Sequence, residues 1–210
     1  MRKIGVLVSG GGSNLQAIID GVERGEIQAE IGVVISNNPK AFALERGARH
    51  RIPIVVIDHR QYGSVAEFSK GILDCMQKHQ IDLICLAGFM RILDPVLVTA
   101  YANRMLNIHP ALLPAFGGKG MYGHHVHEAV IASGTKYSGA TVHFVTPETD
   151  VGAIITQGIV AVADEDTPES LAEKILQVEH RIYPEAVKLV VEEQIELDGY
   201  RVRLKKCLLL

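Results

Sequence analysis

No run of roughly eighteen or more apolar residues occurs anywhere in these 210 residues, so nothing reads as a membrane-spanning helix. No CxxC pair occurs either. The three cysteines are Cys75, Cys85 and Cys207, and the first two fall in apolar surroundings, as reduced structural thiols do. A cytoplasmic location is therefore expected. Neither sign of charge dominates: the formal net charge is −3, which removes any global electrostatic case for a nucleic-acid partner. Internal repeats, low-complexity tracts and compositional breaks are also missing, so residues 1–210 are expected to form one domain. The opening Met1–Val8 turns to glycine too soon for a signal peptide and reads as a first strand. What is present is an ordinary folded composition, 48% hydrophobic against 21% charged, with length enough for a sizeable core.

Short apolar runs alternate with helical patterns, which predicts an α/β fold built on a mostly parallel sheet. Strands are expected at Ile4–Ser9, Glu30–Asn37 and Ile54–Ile57, with helices at Asn14–Arg24 and Ala41–Arg49. Val65, Phe68, Ile72 and Met76 follow helical spacing up to about His79. Leu83–Leu86 and Met105–Ile108 are apolar almost throughout, as strands buried on both faces should be. Ala140–Val145 and Ile154–Val162, close together in sequence, predict an antiparallel extension. Thr167-Pro168-Glu169 combines a hydroxyl N-cap, proline at the first helical position and an acid in the first turn. The long helix that starts there is expected to kink or break near Pro184. Asp198-Gly199 then predicts a terminal hairpin.

The most informative stretch is Asn107-Ile108-His109-Pro110-Ala111-Leu112-Leu113-Pro114. An amide and an imidazole two positions apart on a strand point the same way, and Pro110 keeps His109 extended. Such a pair can stabilise a developing oxyanion while moving a proton, which acyl transfer requires. A strand ending in a turn, with Asn capping and His half-buried, explains the same residues. Beside His109, Asp150 in the Thr146–Gly152 link would orient the ring and favour its protonated form; alone it reads as a turn residue. Ser9-Gly10-Gly11-Gly12-Ser13-Asn14 lies between the first strand and helix, where glycines let backbone N–H groups approach a phosphate. A dinucleotide fingerprint is incomplete because Leu15 stands at its third glycine, and no GK[ST] follows for a Walker A loop. Ala87–Leu93 follows a buried strand, where Met90, Ile92 and Leu93 could line a flat apolar pocket. His124, His125 and His127 lack a recognisable metal-ligand spacing, so no metal is expected. Gly117, Gly118, Gly120 and Gly123 suit the hinges of a loop over a site.

In this order, the chain resembles the phosphoribosylglycinamide formyltransferases, the folate-dependent transformylases of purine synthesis. The resemblance runs from Ile4 to about Val191, through Gly10–Gln16, Leu86–Leu93, Asn107–Pro114, Val142–Val145 with Asp150, and Glu179-His180 before Tyr183-Pro184. It implies a Rossmann-like formyltransferase fold and transfer of formyl from 10-formyltetrahydrofolate to the amine of glycinamide ribonucleotide, with no metal. Asn107, His109 and Asp150 would be catalytic. Gly12, Ser13 and Asn14 would hold the ribonucleotide phosphate and Glu179 its ribose. Met90, Arg91, Ile92 and Leu93, with Asn107 and the Thr146, Pro147, Glu148, Thr149, Asp150 loop, would hold the folate. Partners would be small molecules, neither nucleic acid nor membrane, with a homodimer left open. Related cores occur in methionyl-tRNA formyltransferase and formyltetrahydrofolate deformylase, and a nucleotide-binding sensor is the non-enzyme alternative. The sequence departs from the family at Gly117-Gly118, at the longer Lys119–Gly123 stretch, at Pro147 and at Ala153. It also lacks a clear match to the arginine that meets the folate tail in some members: Val65 falls near that place and Arg60 is the nearest candidate.

Overall fold

A computed structural model describes residues 1–205, so Cys207 lies outside the described residues. The elements run β1 (Arg2–Val8), α1 (Ser13–Glu23), β2 (Ala29–Ser36), α2 (Phe42–Arg49), β3 (Ile54–Val56), α3 (Val65–Lys78), β4 (Leu83–Leu86), α4 (Pro95–Ala100) and β5 (Met105–His109). They continue with α5 (His124–Ser133), β6 (Tyr137–Phe144), β7 (Ile154–Ala161), α6 (Pro168–Val191), β8 (Ile195–Asp198) and β9 (Arg201–Leu204). One nine-stranded sheet takes the order β3-β2-β1-β4-β5-β6-β7-β9-β8. From β3 to β5 neighbouring strands are parallel. β6 then pairs antiparallel with β5 and β7, β9 meets β7 in parallel at a single position, and β8 closes the terminal hairpin. The predicted mostly parallel sheet with an antiparallel extension is what forms.

Burial on both faces explains the continuous apolar strands. On β1, Ile4, Val6 and Val8 join the core under α1 and α6, while Leu7 joins the core on the other face, beneath α3 and α4. Gly5 shares the face of Leu7, where a Cβ would press on the Met76 side chain. Burial also pushes the Cys85 thiol on β4 up to about 12, consistent with an inert structural residue.

α6 does not break at Pro184. It runs as one helix of 24 residues through that position. Proline removes one helical hydrogen bond at a cost of about 3 kcal/mol. Ile182, Tyr183, Ala186, Val187 and Val191 are all buried around it, and tertiary packing of that face holds the helix together. The helix start is as predicted: Thr167 and Ser170 form a reciprocal capping box with Pro168 at the first helical position.

Strand order reverses at β1, with β2 on one side and β4 on the other. Crevices in open α/β sheets form outside the carboxyl ends of strands at such a point. Here the turn after β1 and the loop after β4 are tied together: the Ser9 amide donates to the Gly88 carbonyl at 3.2 Å, and the Met90 amide donates to Ser9 Oγ at 2.8 Å.

Two close backbone approaches lie in the antiparallel half. A Cβ on Gly152 would collide with the Phe144 carbonyl, and one on Gly139 of β6 with the Gly158 carbonyl of β7. Backbone cannot give way as a flexible side chain can, so Gly139→Ala is expected to destabilise the fold by about 2–3 kcal/mol, read as a lowered urea midpoint at unchanged slope.

Candidate active site

β5 delivers two of the predicted residues. Asn107 and His109 alternate along it, so both project to one side of the sheet. Antiparallel pairing sets His143 of β6 directly opposite Asn107. Their side chains meet, Asn107 Nδ2 lying 3.2 Å from His143 Nε2. The other nitrogen of His143, Nδ1, is 2.9 Å from the Phe144 carbonyl, which can only accept; a neutral His143 therefore carries its proton on Nδ1, and its Nε2 accepts from the Asn107 amide. This orients Asn107, leaving its second amide hydrogen free.

Asp150 closes the group from the link between β6 and β7. Its two carboxylate oxygens stand 3.6 Å from His109 Nδ1 and 3.6 Å from His143 Nε2. Those separations are too long for hydrogen bonds to neutral rings. The carboxylate instead accepts the Gly118 amide at 2.9 Å. His109, only 4% exposed, places Nε2 at 2.8 Å from the Phe116 carbonyl. Asp150, distant in sequence, thus joins Asn107 and His109, and β6 adds a fourth group.

Asp150 does push His109 toward its protonated form, but that push is outweighed. Burial, the largest influence, and His143 lower the His109 pKa, while Asp150 and the Phe116 carbonyl raise it, and the net shift is downward. The ring therefore favours its neutral form. Asp150 is pushed up by burial, but His143, the Gly118 amide and His109 outweigh that and keep it below its ordinary value.

These residues line a crevice of about 1410 Å³. Asn14 and Glu179, whose side chains bond at 2.6 Å, line it as well. Met90, Arg91, Ile92, Leu93, Thr146, Pro147, Glu148 and Thr149 line it too, Ile92 being 76% exposed. Gly12 and Ser13 are not on this wall. Gly12 starts α1 at φ 73° with Ala43 pressed against it, and Ser13 faces a separate hollow of about 300 Å³ beside Arg46 and His180. Gly10 and Gly11 border open space where a ligand could approach the backbone.

Arg60, the nearest sequence candidate for a tail-binding cation, is held by Asp58 through bonds of 2.7–3.1 Å, and this pairing draws the Asp58 carboxyl down to about 2. Val65 and Arg91 line the crevice instead, and Arg91 makes no ion pair among the described residues. Of the three clustered histidines, His124 and His125 face Glu128 and His127 is buried at the crevice wall. Among the described residues no three His, Cys, Asp or Glu side chains are grouped to hold a metal ion.

The sequence marked Gly117 and Gly118 as loop hinges but gave no role to His143 or to the Phe116 and Gly118 backbone groups. The signal for His143 was an imidazole in the strand Tyr137–Phe144, which carries no charged residue. The backbone groups left no signal in side-chain identity.

The formyl transferase family profile matches residues 2–187. The chain belongs to this family. Over 196 residues it is 41% identical to the chloroplastic phosphoribosylglycinamide formyltransferase of Arabidopsis thaliana, covering 93% of this chain and 67% of that protein. Over 197 residues it is 40% identical to phosphoribosylglycinamide formyltransferase of Haemophilus influenzae, covering 94% and 91%. It spans only 19% of the Gallus gallus trifunctional purine biosynthetic protein adenosine-3, at 42% identity over 93% of this chain. Among solved structures, glycinamide ribonucleotide transformylase 1 of Symbiobacterium toebii superposes with a TM-score of 0.93 at 44% identity, covering 97% of this chain and 94% of that one. A formyltetrahydrofolate deformylase of Pseudomonas syringae superposes at 0.87 with 25% identity, but this chain covers only 65% of it.

Glu179 gives this family member a pH signature. Burial raises its carboxyl pKa, with the Asn14 amide a smaller opposing influence. The folded state thus holds a proton that the unfolded state releases first, so stability falls as pH rises through the ordinary carboxyl range. Glu179→Gln removes this dependence and leaves an acceptor for Asn14. Its melting temperature is expected to exceed wild type at pH 8 and to match it near pH 4, checked by thermal scans at both.

Proposed function

We propose that this family member transfers the formyl group of 10-formyltetrahydrofolate to the amine of glycinamide ribonucleotide in purine synthesis. The observation that carries the proposal is the meeting of Asn107, His109 and Asp150 in one crevice that also contains Asn14 and Glu179. Relatives named for this activity match along most of their own length as well. In this reading one domain acts in the cytoplasm on small-molecule substrates. The sequence charge gives no reason to invoke nucleic acid, and no described helix is long and apolar enough to cross a membrane. A homodimer is compatible with the proposal.

The ribonucleotide enters beside Asn14 and Glu179, its phosphate toward the amides of Gly12, Ser13 and Asn14 at the start of α1, where the helix dipole favours an anion. The folate lies along Met90–Leu93 and beneath Thr146–Asp150, with its formyl carbon at Asn107. Attack of the amine creates a tetrahedral oxyanion that the free Asn107 amide hydrogen meets. His109 takes the proton the amine must lose. Asp150, ionised nearby, stabilises the resulting imidazolium. Holding both substrates in one crevice supplies much of the acceleration.

The second reading, hydrolysis of formyltetrahydrofolate, is favoured by the likeness to the Pseudomonas syringae deformylase. The acceptor separates the two. Tetrahydrofolate formation is expected to require glycinamide ribonucleotide; equal rates with and without it would establish the hydrolase. Asn107→Ala is expected to lower kcat by about 10²–10³ with the fold intact, measured under saturating substrates. Near-wild-type turnover would exclude Asn107 as the oxyanion donor.

A further inference from the structure

Both ring nitrogens of His109 meet protein, but unequally. Nε2 lies 2.8 Å from the Phe116 carbonyl oxygen. A carbonyl has no proton to give, so this bond exists only with the hydrogen on Nε2. Nδ1 makes no hydrogen bond among the described residues and stands 3.6 Å from Asp150 on the crevice wall. The Gly118 amide, two residues after Phe116, holds the same Asp150 oxygen at 2.9 Å. A three-residue stretch of backbone therefore contacts both members of the acid–imidazole pair.

Two residues at these contacts, Phe116 and Asp150, have left-handed backbones at φ 52° and 59°, and Gly118 sits at φ 89°. Side-chain-bearing residues persist there only where surrounding contacts fix them. The surroundings here are the bonds to His109 and Asp150 together with the packing of Phe116 on the core.

We propose that the Phe116–Gly118 backbone is a positioning element that commits His109 Nε2 as a standing donor and leaves Nδ1 as the nitrogen that carries the reaction's proton. The proton-carrying half rests on the formyl-transfer reading; the tautomer does not. When the amine attacks, its lone pair forms the new C–N bond and its surplus proton passes to Nδ1. When the intermediate collapses, the bond to the folate nitrogen breaks with its electrons going to that nitrogen. The proton on Nδ1 returns there, and the ring is neutral again. Between the two steps the imidazolium has an acceptor on each side, the Phe116 carbonyl and the Asp150 carboxylate. The hold of Gly118 on Asp150 keeps the carboxylate back from the neutral Nδ1 lone pair yet near enough to attract Nδ1–H⁺. The other titratable groups facing the ring are His143 of β6 and His127 of α5. Both are imidazoles, and neither reaches Nε2.

The test uses the full chain with ¹⁵N-labelled histidine. In substrate-free protein above its titration, His109 (assigned by loss of its signals in His109→Asn) is expected to show a protonated Nε2 and a bare Nδ1. An Nδ1–H tautomer overturns the proposal whether or not the protein transfers formyl groups. Gly118→Ala keeps the amide but opposes φ 89°, and should loosen the hold on both side chains. A tautomer mixture is expected, with kcat down about tenfold and the ribonucleotide KM within about twofold. Because burial is the largest influence lowering the His109 pKa, water admitted by a loosened loop should move the acid limb of kcat/KM to higher pH. Gly199→Ala, at φ 60° in the terminal hairpin, imposes a similar strain far from the site and should alter neither readout. An unchanged tautomer and an acid limb that stays or moves lower in Gly118→Ala overturn the proposal. If the ring shows Nε2–H but no formyl transfer occurs, the functional reading fails instead.

Discussion

The site depends on the antiparallel pairing of β5 with β6. That ladder puts Asn107 opposite His143 and His109 opposite Thr141, and it turns both β5 side chains into the crevice. A slip of one residue would swap every side chain on the strand to the other face, sending Asn107 and His109 into the core. The register is held by burial of Leu106 and Ile108, which enter the core when Asn107 and His109 leave it. Tyr183 of α6 reinforces it from below, its hydroxyl lying 2.9 Å from the Leu86 carbonyl and 3.3 Å from that of Leu106. Hydrophobic burial and the placement of the crevice side chains are thus one constraint read from two sides of a strand.

Around that frame the side chains form a hydrogen-bond chain in which most donors have only one direction to take. The Phe144 carbonyl fixes His143, His143 orients Asn107, and the Phe116 carbonyl fixes His109. Burial keeps His109 neutral while Asp150 stays ionised, so a proton acceptor and its stabilising charge coexist a few ångströms apart. In water such a pair would interact weakly; at a mostly buried site the interaction is stronger and less screened. At Glu179 the logic is opposite. Glu179 is buried against a neutral amide, and its carboxyl shifts toward the protonated form.

Much of the architecture was legible in the chain because periodicity reports burial directly. The apolar runs of β1, β4 and β5, the capped start of α6 and the Asp198-Gly199 hairpin each carry a local physical signature. Pro184 was misleading as a breaker because its local cost is outweighed by packing along a long buried face. Asn107, His109 and Glu179 were found as residue types in a recognisable order. The loss of Arg60 to Asp58 and the turning of Ser13 away from the crevice were not visible, since both are matters of direction.

The sequence alone determined the α/β pattern, the glycine turn, the Asn-x-His spacing and the family, because each lies in residue identity and local spacing. Only the tertiary structure decided that Asp150 reaches His109, that His143 completes the group and that a loop carbonyl chooses the imidazole tautomer. The first two bring together residues separated by tens of positions. The third involves a backbone atom that every residue possesses, so its position, not its identity, carries the information.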